Sequence, residues 1–171
     1  MPTALNPLLR YWAIFAFAAS AAMLAVAHAF QTFGGLAPCT LCLQQRDVYW
    51  TAIVVAAVAL IAGRTPARPL LKPVFAAALV LVFAAGAAIA ARHAGAEWKW
   101  WPGPATCSGA GGGVDATALA NLMHGAKLAA PRCDEAAWVF LGLSMAGWNF
   151  LISLGLMGLS ALAFLRSRRD D

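Results

Sequence analysis

Charged residues are scarce in this chain: they make up 11% of 171, and only seven are acidic. A soluble domain averages about 25% charged and about 45–50% apolar residues, whereas 62% here are hydrophobic. A fold bathed in water on every side is thereby excluded. No basic face interleaved with aromatics appears, so the net charge of +5 does not point to nucleic acid. No repeat recurs at a fixed period. The first apolar run is long, lacks a small-residue cleavage site and is followed by further runs, so it is expected to stay as a signal anchor. Cysteine is confined to four positions, Cys39, Cys42, Cys107 and Cys133. The close pair lacks the βαβ surroundings of a soluble thioredoxin-like protein. Leu43 rather than histidine follows Cys42, which excludes haem attachment.

What the chain does have is apolar length. Crossing a bilayer takes about 20 apolar residues in a helix, and four segments qualify, about 11–30, 42–62, 70–91 and 137–165. The length suits one integral membrane domain, 1–171. Its outer loops would cover about 31–41 and 92–136. Arg10, Arg64, Arg68, Lys72, Arg166, Arg168 and Arg169 then lie on one side of the membrane. Arg46, Arg92, Lys99, Lys127 and Arg132 lie on the other, mostly in the long loop where charge bias counts for less. Both termini are therefore expected in the cytoplasm. All four cysteines fall outside, where disulfides persist.

The turn Gly63-Arg64-Thr65-Pro66-Ala67-Arg68-Pro69 reads as a connector. In the long loop, Trp98, Trp100 and Trp101 suit an interfacial aromatic belt. Asp115 and Gly125 bracket a stretch in which Leu119, Leu122 and Met123 share a face, so a short helix on the membrane surface is expected there. Ala84-Ala85-Gly86-Ala87-Ala88 reads as close helix packing.

The chemistry concentrates in Pro38-Cys39-Thr40-Leu41-Cys42-Leu43-Gln44-Gln45-Arg46. Two cysteines three positions apart can close a disulfide or release a reactive thiolate. A helix starting near Cys42 would turn its unpaired N–H groups toward the pair and favour a thiolate at or near Cys42. Arg46, one turn along, could stabilise that thiolate or an anionic ligand, or serve as a headgroup anchor. Asp47 reads as the charge partner of Arg46. Gln44 and Gln45 could bond a carbonyl ligand or a neighbouring helix. His93, at the outer end of the third span, could match Arg46 in depth or be a polar anchor. Cys107 and Cys133, 26 positions apart, could be a structural staple stabilising by roughly 3 kcal/mol. A four-cysteine zinc site has the usual close spacing in only one half, so no metal is expected.

Cys39-x-x-Cys42-x-x-x-Arg46, two further outer-loop cysteines, and the segment Trp138 to Asn149 together resemble the disulfide-bond formation protein B (DsbB) family. The resemblance covers nearly the whole chain. It implies an all-α membrane protein: a four-transmembrane-helix bundle with two periplasmic loops, the second carrying a short surface helix, in a bacterial inner membrane. It implies a dithiol:quinone oxidoreductase that reoxidises a periplasmic DsbA-like thiol oxidase and passes the electrons to ubiquinone or menaquinone of the membrane pool. Cys39 and Cys42 match the pair facing the quinone, Cys107 the cysteine that forms a mixed disulfide with the partner, and Cys133 its loop partner. Arg46 matches the quinone-site arginine, and His93 a histidine near that ring. Energetics favour a non-thiol acceptor, because an oxidase roughly 150 mV above thioredoxin lies about 7 kcal/mol uphill of such a couple. The rivals are a vitamin K epoxide reductase type, where the CxxC falls late in the bundle, a non-catalytic membrane protein with two structural disulfides, and a metal-binding one.

Overall fold

The computed structural model describes residues 5–104, 123 and 132–169. A short helix α1, Leu5–Arg10, precedes α2, Trp12–Thr32; then come α3, Thr40–Ala62, and α4, Arg68–Glu97. A hairpin of β1, Val139–Phe140, and β2, Leu143–Ser144, leads into α5, Met145–Ser167. Helices α2 to α5 are long and apolar enough to cross a membrane. At about 1.5 Å per residue, the 21, 23 and 23 residues of α2, α3 and α5 match a hydrocarbon core of about 30 Å. The four form an antiparallel bundle in which α4 packs on both α3 and α5, and α2 on α3. The chain is thus a mostly helical, four-span membrane protein, as its composition implies.

Small residues let these helices approach closely. Ala52, Ala56, Ala76 and Ala90 are fully buried. A Cβ added at Gly86 would meet Val48 Cγ1 at 3.0 Å and Ser153 Oγ at 3.3 Å, so α3 and α5 both close on α4 at this glycine. In lipid, where no hydrophobic force drives helices together, such contacts supply the packing. Phe83 and Leu79 fill the centre, while Leu81, Ile61 and Val54 face outward, as a hydrocarbon solvent allows.

Three boundaries differ from the sequence expectation. Apolar length places the start of the fourth span near 137, but α5 begins at Met145 because the chain first turns back on itself. Leu141 (φ 51°) and Gly142 (φ 79°) form the two-residue turn of the hairpin, with Val139 opposite Ser144. Positive φ at both positions suits a tight hairpin and breaks a helix. Ser144 then caps α5, its Oγ accepting from Gly147 N at 3.1 Å. The third span was expected to end near 91, yet α4 continues to Glu97 and carries His93 within it. Trp101 folds back over this extension and donates from Nε1 to the Arg92 carbonyl at 2.9 Å. Gly95 makes room for its ring, since a Cβ there would stand 2.0 Å from Trp101 Cζ2. Lastly, α3 starts at Thr40 with Cys39 as its cap. Of the surface helix expected between Asp115 and Gly125, only Met123 is described.

Candidate active site

One end of the bundle gathers the C-termini of α2 and α4, the N-termini of α3 and α5, and the hairpin. Cys39 caps α3, and its Sγ accepts from the Cys42 backbone N–H at 3.2 Å. The helix N-terminus is thus aimed at the pair, as expected, and within it the hydrogen bond goes to Cys39. The reason is geometric: the cap residue precedes the helix and its side chain reaches back over the first turn. The two sulfurs lie 2.7 Å apart, and both residues are free cysteines. The hydrogen bond with Cys42, followed by burial, holds the Cys39 thiol well above the usual thiol range, so Cys39 keeps its proton.

Across the bundle, His93 Nε2 stands 3.7 Å from Cys39 Sγ. Cys133, fully buried, joins them: its sulfur, the Cys39 sulfur and a His93 ring nitrogen all lie within 4.8 Å of one another. Cys133 is disulfide-bonded, and neither free cysteine is its partner. The segment that delivers it is tied by charge to the chain just beyond α4. Asp134 accepts from Lys99 Nζ at 2.8 Å and from Arg132 at 3.1 Å, while Arg132 also pairs with Glu135 at 3.2 Å. These hydrogen bonds, that of Lys99 first, lower the Asp134 carboxyl to about 2. Cys107 lies outside the described residues.

Arg46 stands one turn beyond Cys42. Its guanidinium donates to Gln31 Oε1 at 2.6 Å and to the Ala27 carbonyl at 3.0 Å, both on α2. Its expected partner, Asp47, points to another face, because adjacent helical residues diverge by about 100°. The Nε of Arg46 is buried with no hydrogen-bond partner among the described residues. The Arg46 residue borders a cavity of about 410 Å³ whose walls include Cys42, Gln45 and His93. The far wall is aromatic. Phe30 of α2 meets Trp138 at 5.1 Å, Trp138 stacks on Phe140 at 5.7 Å, and Phe140 leans on Trp148 at 6.4 Å. An apolar slot with a guanidinium residue and a cysteine on its wall fits a flat, carbonyl-bearing ring with an apolar tail. Quinones have that shape, and the residues present fit one.

Four of the predicted residues therefore converge (Cys39, Cys42, His93 and Cys133), with Arg46 on the cavity they border. His93 lies against Cys39 as well as on the cavity wall. Gln45 bonds neighbouring helices, one of its two expected roles, while Tyr49, Asn149, Glu97 and Ser144 join the site without having been expected there. Gln45 Nε2 bonds His93 Nδ1 at 2.8 Å, and Gln45 Oε1 accepts from Asn149, whose Oδ1 accepts from Tyr49. Glu97 Oε1 stands 3.7 Å from His93 Nε2, and Oε2 accepts from Ser144. The available signal was polar side chains one turn apart within apolar spans, Gln45 with Tyr49 and Asn149 with Ser153.

The model of the family described as "Disulfide bond formation protein DsbB" matches residues 9–163. The chain is 32% identical over 161 residues to a disulfide bond formation protein B of Azoarcus sp. (strain BH72), covering 90% of each chain. It is 33% identical over 158 residues to one of Polaromonas sp. (strain JS666 / ATCC BAA-500), covering 88% of this chain and 89% of the relative. It is 34% identical over 163 residues to one of Albidiferax ferrireducens, covering 91% and 87%. No solved structure matches. With cysteines, cavity and four spans in place, and with matches along nearly its whole length, the chain belongs to the disulfide bond formation protein B family, the membrane disulfide oxidoreductases of disulfide bond formation.

Proposed function

We propose that this protein reoxidises a periplasmic DsbA-like dithiol oxidase and delivers the electrons to a membrane quinone. In this reading it sits in a bacterial inner membrane with both termini cytoplasmic and its cysteine loops periplasmic. One observation carries it: Cys39 Sγ lies 2.7 Å from Cys42 Sγ and within 4.8 Å of the Cys133 sulfur. A sulfur between two others is what a relay of disulfide exchanges needs.

The starting state has two disulfides, Cys39–Cys42 and Cys107–Cys133. A thiolate of the reduced partner attacks Cys107; a mixed disulfide forms and Cys133 leaves as a thiolate. Cys133 attacks Cys39, forming Cys133–Cys39 and breaking Cys39–Cys42, with the electron pair left on Cys42. Cys42 faces the cavity, so its thiolate is turned toward the acceptor and away from the loop. A quinone bound there supplies a two-electron, two-proton sink. Arg46, on the cavity wall, stabilises negative charge there through its guanidinium. The aromatic wall of Phe30, Trp138 and Phe140 excludes water from that charge. The partner's second thiolate releases the oxidised partner from Cys107. Cys107 then attacks Cys133, and Cys39 leaves as a thiolate; the Cys39–Cys42 bond would re-form as the two electrons pass to a quinone held at the cavity, which would take up two protons to give quinol.

Purified protein mixed with reduced partner and a soluble quinone tests the proposal by the rate of quinone loss. Cys42→Ser is expected to abolish it; a rate equal to wild type refutes the mechanism. Arg46→Ala should weaken quinone use roughly ten-fold or more, the loss of a charge-assisted hydrogen bond, and leave disulfide exchange at Cys107 largely intact. Unchanged quinone kinetics would demote Arg46 to an anchor.

A further inference from the structure

Five polar side chains form a continuous buried line from the dithiol toward the middle of the bundle. Cys39 meets His93 of α4, His93 meets Gln45 of α3, Gln45 meets Asn149 of α5, and Asn149 meets Tyr49 of α3. Gln45, Tyr49, His93 and Asn149 are each at most 7% exposed. Inside a membrane, polar groups find no water, so such a line persists only if each donor meets an acceptor.

That requirement gives the line a direction. Tyr49 O–H donates to Asn149 Oδ1, and Ser153 Oγ stands 3.4 Å from the same oxygen and 3.3 Å from the phenol. With Asn149 in this orientation both hydroxyl protons have an acceptor. Reversed, the phenol proton would find only Ser153 Oγ among the described residues. Asn149 therefore presents Nδ2 to Gln45 Oε1, which leaves Gln45 Nε2 facing His93 Nδ1. An N–H pointed at Nδ1 requires that nitrogen to accept, so the ring proton sits on Nε2. From Nε2 the Glu97 carboxylate is 3.7 Å away, too far for a hydrogen bond to oxygen, whereas 3.7 Å suits an N–H donor to the larger sulfur of Cys39.

We propose that Asn149 and Tyr49 are positioning residues that fix the His93 tautomer, so that Nε2–H is held against Cys39 as that sulfur departs. The inference rests on the relay proposed above and concerns its last exchange. There the Cys107 thiolate attacks Cys133: the Cys107–Cys133 bond forms, the Cys133–Cys39 bond breaks, and the bonding pair stays on Cys39. Cys39 is a poor leaving group, since its thiol is held well above the ordinary range. The His93 N–H and the Cys42 backbone N–H then supply two donors to the emerging thiolate.

Asn149→Asp tests this by reversing the line. A carboxylate offers Gln45 only acceptors, so Gln45 turns its Nε2 to Asp and its Oε1 to His93, and the ring proton moves to Nδ1. Tyr49→Phe, which removes one hydroxyl at nearly constant volume, is the milder variant should the first not fold. The readout is ¹⁵N NMR of imidazole nitrogens in full-length protein, with His93 assigned from His93→Gln. The second readout is the steady-state rate of disulfide exchange with a reduced dithiol peptide in the presence of a soluble quinone, since repeated turnover cannot outrun that last exchange. Wild type should show the Nε2–H form, and Asn149→Asp the Nδ1–H form with exchange slowed about ten-fold. Tyr49→Phe should show a mixture of the two forms and a smaller slowing. An Nδ1–H form in wild type overturns the proposal, as does an unmoved tautomer in the folded variants. A moved tautomer with unchanged exchange overturns it as well. Failure of the relay itself reads differently: wild-type protein would exchange with no dithiol, whatever its tautomer.

Discussion

Cys39 shows how much one side chain carries at this site. It caps α3, touches Cys42, and faces both His93 and Cys133. Its spacing from Cys42 and from Arg46 is legible in the chain because those residues share one helix turn or two. Its contacts with His93, 54 positions away, and with Cys133 are set by packing and leave no mark on local sequence. Asp134, beside Cys133, permits a prediction from charge. Its carboxyl is lowered to about 2 by Lys99 and Arg132, so the folded state favours the charged form. A depressed value stabilises the fold above the ordinary carboxylate value of about 3.9, and the contribution is lost as pH falls from there toward 2. The NMR signal of the Asp134 carboxyl carbon should therefore be constant from pH 7 to 5, and so should the Lys99–Asp134 pair. Because the pair lies at the surface, it should weaken in high salt. Asp134→Asn should loosen the Cys133 segment at neutral pH, read as faster hydrogen exchange at residues 132–135.

At the element scale, the third and fourth spans hold the main surprises. Apolar content located both helices, because about 20 such residues can be satisfied in lipid only as a helix. It did not locate their ends. Hydrophobic residues continue through Val139, Phe140, Leu141 and Leu143, but the backbone at 141 and 142 adopts positive φ and makes a hairpin. That hairpin carries Phe140 to the cavity, and the capping Ser144 to Glu97. In the extended α4, Gly95→Ala gives a sharp test. In an ordinary helix interior this change stabilises by up to about 1 kcal/mol. Here the new Cβ must evict the Trp101 ring and its bond to Arg92, so the change should destabilise by about 1 kcal/mol. A lower melting temperature in detergent, with altered tryptophan fluorescence, is the expected result; a higher one would reverse the sign.

At the scale of the whole molecule, the fold brings both inner cysteines, Cys133, the cavity and the hairpin to one end of the bundle. The Arg64-containing turn lies at the other, with the C-terminal end of α5. That polarity matches the bias of positive charge in the sequence. Alkaline phosphatase needs disulfides and matures only outside the cytoplasm, so fusions report the proposed orientation. A fusion after Phe33 should be active and one after Thr65 inactive; the opposite pattern would invert the topology.

The sequence by itself determined four spans, the close cysteine pair with an arginine one turn later, and the family. These follow from composition and spacing within single segments, where local physics decides. Only the tertiary structure decided that the helix N–H bond within the pair goes to Cys39, and that Arg46 lines an aromatic cavity. It alone threaded a directed hydrogen-bond line through three helices to His93. The CxxC, legible as a redox pair, is in three dimensions a buried sulfur flanked by two others, with a histidine from across the bundle beside it. Such contacts join residues from 48 to 104 positions apart, and the angles at which helices pack bring them together.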